Sequence, residues 1–291
     1  MNGVINVFKN RGMSSFDVVR IIKKASKEKK VGHTGTLDPE ATGVLPVCLG
    51  KATKIIDYIM TAEKSYYVKF KLGVKTTTYD LEGEVVEEKD SSKLRNEEIL
   101  DVINSFKGEY LQVPPMYSAL KKDGIRLYNL ARQGIEVERE GRNINIYDIK
   151  NIYISNPYIS MDVTCSKGTY IRSLCYDIGE KLGVGATMTE LKRTKTSIFT
   201  EEESVNIDEI EENNVGEFII TLEEALKSYP KININKGYTK LFINGVKVGD
   251  KRSLDLKPKI GQLYRVYDEE KVFIGLGKQD EFGFKIEKLL I

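Results

Sequence analysis

Apolar and polar positions alternate through 66–72. Tyr66, Val68, Phe70 and Leu72 fall on one side, and Tyr67, Lys69 and Lys71 on the other. A period of two predicts a half-buried strand. Similar runs predict strands over 4–8, 44–49, 83–88, 143–154, 158–165 and 195–200. Helical spacing appears first at Val18, Ile22 and Ala25, behind Ser14-Ser15-Phe16-Asp17. There a hydroxyl precedes an acid by three residues, the pattern of a helix start. Further helices are expected over 52–60, 96–106, 125–133, 170–182 and 221–228. The chain is glycine-rich from Val31 to Gly43, and Pro114-Pro115 breaks regularity before a polar, basic, glycine-punctuated segment over 118–142. After Pro230 short β-like runs at 241–243, 263–267, 272–276 and 282–286 are separated by Gly and Asp. Strands and helices in no steady alternation predict an α+β fold rather than a doubly wound sheet. The expected division is a larger unit over 1–230 and a small β module over 231–291.

Composition narrows the function. The chain has 291 residues, 41% of them apolar and 30% charged, enough to bury a real core. No apolar run is long enough to span a membrane, and residues 1–9 lack the apolar core of a signal peptide. Cys48, Cys165 and Cys175 form no CxxC, which argues against a disulfide framework or a thiolate zinc site. His33 is the one histidine, so no site can use two imidazoles. A metal held by carboxylates alone has no support, and none is expected. These features describe a cytoplasmic globular protein.

Net charge is only +2, but it is unevenly spread. Residues 21–30 hold five lysines and one glutamate, and Lys192, Arg193 and Lys195 cluster again. Residues 201–226 hold ten acidic side chains and no basic one. Separated basic patches on a near-neutral chain suit a shaped polyanion, although each patch alone is also what a solvated helix face looks like.

Four passages could carry chemistry. In 32–43, glycines at 32, 35 and 43 permit close backbone approach, and Asp38 before Pro39 is biased to an extended conformation that can project its carboxylate into a cleft. Read alone, Asp38-Pro39 is more simply an ordinary turn, in which Asp bonds its own backbone. There is no GKS or GKT, so this is not a nucleotide P-loop. Lys64 and Tyr66 share one face of their strand, where a tyrosine beside a cation can stack on a base, or simply be half buried. In 166–174 a glycine turn enters a helix whose first turn presents Arg172, suited to holding a carboxylate in a two-pronged grip. Leu191-Lys192-Arg193-Thr194 places an apolar residue before two cations, and a core leucine is the simpler reading of Leu191.

These passages, in this order, closely resemble the bacterial tRNA pseudouridine-55 synthases. Lys9-Asn10-Arg11-Gly12-Met13-Ser14-Ser15-Phe16-Asp17, Pro114-Pro115-Met116-Tyr117-Ser118-Ala119-Leu120-Lys121 and Gly124…Tyr128…Ala131-Arg132…Gly134 extend the match, which covers about 3–200. The tail resembles more weakly the PUA-like RNA-binding module of that family. Departures are Asn10 where the family usually has Pro, Ser14 where it has Thr, and, within 73–83, Thr77 where it commonly has Asp and Tyr79 where it has a small residue. They leave the positions of Asp38, Tyr66 and Arg172 untouched.

The resemblance implies a pseudouridine synthase fold with a mixed, largely antiparallel central sheet. It also implies an isomerase that converts uridine 55 in the tRNA T-loop, without cofactor, metal or obligate protein partner, as a monomer. Asp38 would be the essential carboxylate; attack on C1′, attack on C6 and removal of the 2′ proton all stay open. Arg172 would pair with Asp38 and orient it. Tyr66 would stack on the uracil and help remove the C5 proton. Lys64 and Leu191 would shape the pocket. His33, Lys9, Arg126, Arg132 and Arg193 would contact RNA, with 118–142 acting as a thumb over the T-arm stem-loop. A paired base is out of reach, so the uridine must flip out. Two other classes compete: an RNA-binding or RNA-folding module without catalysis, and a carboxylate-dependent nucleoside hydrolase, which would release free uracil.

Overall fold

A computed structural model describes residues 1–291. Its centre is a ten-stranded mixed sheet. The main path runs Val205–Asn206, Gly3–Lys9, Thr42–Leu49, Ala186–Thr196, Lys64–Leu72, Tyr158–Cys165, Arg142–Ser155 and Gly108–Gln112. Only two neighbours along it are parallel: Gly3–Lys9 with Val205–Asn206, and Thr42–Leu49 with Ala186–Thr196. The expected mixed, largely antiparallel sheet in an α+β fold is what forms.

Local sequence explains much of this. Lys64–Leu72 buries every second residue, as its alternation requires. Helix Ser15–Ser26 begins at Ser14 with a reciprocal capping box to Asp17, and Val18, Val19 and Ile22 enter the core. Helix Asn96–Asn104 buries Ile99 and Ile103.

Three expectations are corrected. The strand predicted over 195–200 is the end of a longer strand, Ala186–Thr196, which turns back into Phe199–Thr200. Two register shifts against Lys64–Leu72, at Met188/Glu190 and Arg193/Lys195, break its alternation and hide it from a period-two reading. The run at 241–243 is helical, within Thr239–Ile243; only Phe242 is buried, and three apolar residues cannot distinguish the two periods. Residues 52–60 form a tight 3-10 turn, Gly50–Ile55, before the short helix Ile56–Met60. The strand expected over 83–88 forms as Val85–Glu88, paired with Val74–Thr76 off the main sheet.

The segment over 118–142 is an excursion between adjacent antiparallel strands, since Gln112 stands opposite Arg142. It holds a small hairpin, Lys121–Lys122 with Ile125–Arg126, and helix Leu127–Ala131. Its root is buried at Pro114, Pro115, Met116 and Ser118, but beyond residue 118 only Leu127 is.

Residues 231–289 build a four-stranded sheet, Lys231–Asn233, Leu263–Tyr267, Phe273–Asp280 and Gly283–Leu289, with its own core around Phe242, Val266 and Phe284. The module is not separate: its Leu276 and Leu290 join Val4, Val44, Cys48 and Phe199 in a second core beneath the large sheet. No helix is long and apolar enough to cross a membrane.

Candidate active site

Asp38 lies in the loop that leads into strand Thr42–Leu49, and its side chain is 33% exposed. The loop is braced from several sides. The Ser15 hydroxyl accepts from Leu37 N–H at 2.8 Å and donates to Leu37 C=O at 3.0 Å. Gly12 N–H donates to Pro39 C=O at 2.9 Å. The Lys9 ammonium donates to the carbonyls of Pro39, Asn10 and Met13 at 3.0, 2.9 and 2.7 Å. Lys9 is fully buried, and burial pulls its pKa down to about 8 against the fields of Asp38 and Glu40. It therefore does not contact RNA as expected; convergent carbonyls hold its charge inside.

Arg172 reaches the loop from the first turn of helix Ile171–Lys181. Its Nη2 donates to Asp38 Oδ2 at 2.5 Å, and its Nη1 donates to Asp80 Oδ2 at 3.0 Å. The guanidinium is thus held between two carboxylates, while Asp38 Oδ1 has no protein partner. A planar fork with donors diverging in one plane suits this arrangement, which a single ammonium cannot reproduce. The Arg172–Asp38 pairing was expected; Asp80 was not singled out. Its signal is an acid set among Thr76, Thr78 and Gly83 in a turn, with the Thr78 hydroxyl donating to Asp80 Oδ1 at 2.5 Å.

The floor is the face of the sheet carrying Lys64, Tyr66, Val68, Leu191 and Arg193, with Arg193 opposite Tyr66 and Leu191 opposite Val68. Tyr66 is 8% exposed and lies opposite Arg193, whose charge acts on its phenol. Burial pushes the phenol up to about 12, with Arg193 pulling the other way. At neutral pH it is a phenol that can stack and hydrogen-bond; to take a carbon-bound proton it must first pass on its own.

Arg193 is 1% exposed and donates to Val44 C=O at 2.7 Å and Gly35 C=O at 3.1 Å. It is a structural pin of the loop, which corrects the expectation of RNA contact. The strands meet so closely there that a Cβ on Gly43 would lie 2.2 Å from Arg193 C=O, and Gly43 has φ +105. Lys64 turns its ammonium back onto Met60 and Ala62 carbonyls at 2.8 and 3.1 Å. Burial, and then Arg193, lower its pKa to about 8. Lys64 and Leu191 are thus walls behind the cleft.

His33 is half buried and accepts from Gly35 N–H at 3.2 Å through Nδ1; burial, and then Arg193, lower its pKa and favour the neutral ring. Arg126 and Arg132 are exposed, far along the thumb, and flank the Tyr128 ring at 5.8 and 5.6 Å. Cations and an aromatic face presented together suit phosphates and bases.

Residues 23–171 match the model described as TruB family pseudouridylate synthase (N terminal domain), and residues 172–227 match that described as tRNA pseudouridylate synthase B C-terminal domain. The chain belongs to the TruB family. Among curated relatives of this TruB-family chain, tRNA pseudouridine synthase B of Clostridium perfringens (strain ATCC 13124) is 63% identical, covering 100% of this chain and 99% of that protein. That of Clostridium tetani is 62% identical and covers 100% of both. A chain in the crystal structure of a Cbf5-Nop10-Gar1 complex matches with a TM-score of 0.76 at 29% identity, over 99% of this chain and 85% of that one. A TruB-family chain is a pseudouridylate synthase, hence an isomerase. The two competing readings, a binding module without chemistry and a nucleoside hydrolase, fall away.

Proposed function

We propose that this TruB-family chain isomerises uridine 55 in the T-loop of tRNA to pseudouridine, acting as a single chain. The observation that carries the reading is Asp38, one-third exposed at the mouth of the cleft, gripped on Oδ2 by a buried Arg172 and free on Oδ1. A carboxylate oriented by one oxygen keeps the other for the sugar or the base.

The reaction breaks the bond between C1′ and N1, turns the uracil, and joins C1′ to C5. N1 gains a proton and C5 loses one, so no electrons, metal or cosubstrate are needed. Asp38 supplies the negative charge next to C1′, and Arg172 holds it in place. Tyr66 is the flat surface on which the detached ring turns. The uracil must leave its stack to reach them, at a cost of about a few kcal/mol that stacking and phosphate contacts offset. The thumb, with Arg126, Tyr128 and Arg132, closes on the stem-loop, and His33 at the rim touches the displaced loop.

The test is incubation with an unmodified tRNA transcript, followed by nucleoside analysis and mapping. Pseudouridine at position 55, also formed in an isolated T-arm stem-loop, is the expected result. Free uracil, or modification at another position, overturns the reading.

A further inference from the structure

Tyr79 has a task the reaction scheme leaves unassigned. It sits beside Asp80 in a tight loop closed at its base by Thr77, whose N–H donates to Glu84 C=O at 3.0 Å and whose hydroxyl accepts from Glu84 N–H at 3.2 Å. Inside the loop Asp80 is held by the Thr76 hydroxyl on its carbonyl at 2.7 Å and by Glu82 N–H on Oδ1 at 3.1 Å. Tyr79 C=O accepts from Met188 N–H at 3.0 Å, which ties the loop to the sheet. None of these bonds reaches the helix that carries Arg172.

The Tyr79 ring does. It stacks on Tyr176 with ring centroids 4.1 Å apart and planes at 25°. Tyr176 lies four residues after Arg172, one turn along the same helix face. Tyr79 reaches it from a left-handed backbone conformation, φ +67, which bulky residues rarely adopt and which surrounding contacts must hold. One aromatic pair therefore bridges the residue next to Asp80 and the residue one turn from Arg172.

We propose that Tyr79 and Tyr176 are positioning residues, whose stack keeps Asp80 on Arg172 Nη1 so that Nη2 stays turned to Asp38. This rests on the reading of Asp38 and Arg172 given above. The clamp acts on the rate and not on capture of RNA, because the rings stack on each other beside Asp80 and Arg172 and lie outside the segment over 118–142.

The experiment is single-turnover pseudouridine formation on an unmodified tRNA transcript, with tRNA affinity measured in parallel. Tyr79→Ser should slow the reaction about tenfold and change affinity less than about twofold. Tyr79→Phe, which keeps the ring, should retain at least about half the rate. Tyr176→Leu opens the same stack from the helix side and should match Tyr79→Ser; it decides the matter if Tyr79→Ser does not fold. The double variant should lose no more than the worse single one, since both remove one interaction. An unchanged rate in Tyr79→Ser, equal loss of rate and affinity, or multiplied losses in the double variant would overturn the proposal. Asp38→Asn runs alongside: activity retained there means that the site reading has failed, whatever the tyrosines do.

Discussion

The Gln112 carboxamide grips the backbone of Tyr170 at both ends, accepting from its N–H at 2.8 Å and donating to its C=O at 3.1 Å. Tyr170 is the residue that opens the Arg172 helix, and it has no side-chain cap of its own. Gln112 is 1% exposed and is the last strand residue before the thumb. The Tyr170 C=O also accepts from Leu174 N–H at 3.1 Å. Gln112→Ala should therefore leave only the Tyr170 N–H unpaired and destabilise the fold by about 1–3 kcal/mol, read as a lower urea midpoint at unchanged m-value.

Arg172→Lys retains the charge but loses the fork. With one carboxylate necessarily released, pseudouridine formation should fall at least about tenfold while tRNA affinity changes little. Equal losses in rate and affinity would make Arg172 an RNA-contact residue instead.

Asp38→Asn removes the charge at constant size. Less than about a tenth of the activity should remain, with circular dichroism and tRNA binding near those of the parent.

Asp177, on the Arg172 helix, is pushed up to about 6 by burial, with the nearby Tyr110 phenol pulling the other way. A carboxyl with a raised folded pKa favours folding while protonated, and that advantage is lost as pH rises through the folded value. Asp177→Asn imitates the protonated form. It should raise Tm relative to the parent at pH 8, and the difference should shrink toward pH 5. A gain that does not change with pH would show that the buried charge is not the cause.

Cutting the chain at Pro230 removes Leu276 and Leu290 from the core they share with Val4 and Val44. Each buried leucine contributes about 1.5–3 kcal/mol. The shortened chain should therefore melt earlier and bind an apolar dye, beyond any loss of RNA contacts; an unchanged Tm would contradict this.

Gly43→Ala must find room for a Cβ against the Arg193 backbone, at a φ that alanine avoids. A loss of more than about 2 kcal/mol, or failure to fold, is expected in thermal unfolding.

Sequence made the strand around Tyr66 and the helix start at Ser14 legible, because each follows one local rule over its whole length. It also placed Asp38 with Arg172, though they lie 134 residues apart, through ordered motifs. Strand Ala186–Thr196 was obscured because bulges shift its alternation twice. Lys9 and Arg193 were misread as RNA contacts for a different reason. A sequence reveals a charge, but not the carbonyls from distant segments that converge on it. Asp80 was missed likewise, since its partner comes from a helix 92 residues further on.

The thumb leaves the sheet at Gln112 and returns opposite it at Arg142. Departure and return share a single rung of the ladder, so the sheet imposes almost no requirement on how much chain lies between. Lengthening such a loop costs little, rising only as the logarithm of its length. At the bench this rung is a socket: segments of other lengths can be grafted between Gln112 and Arg142 while Asp38 and Arg172 keep their places.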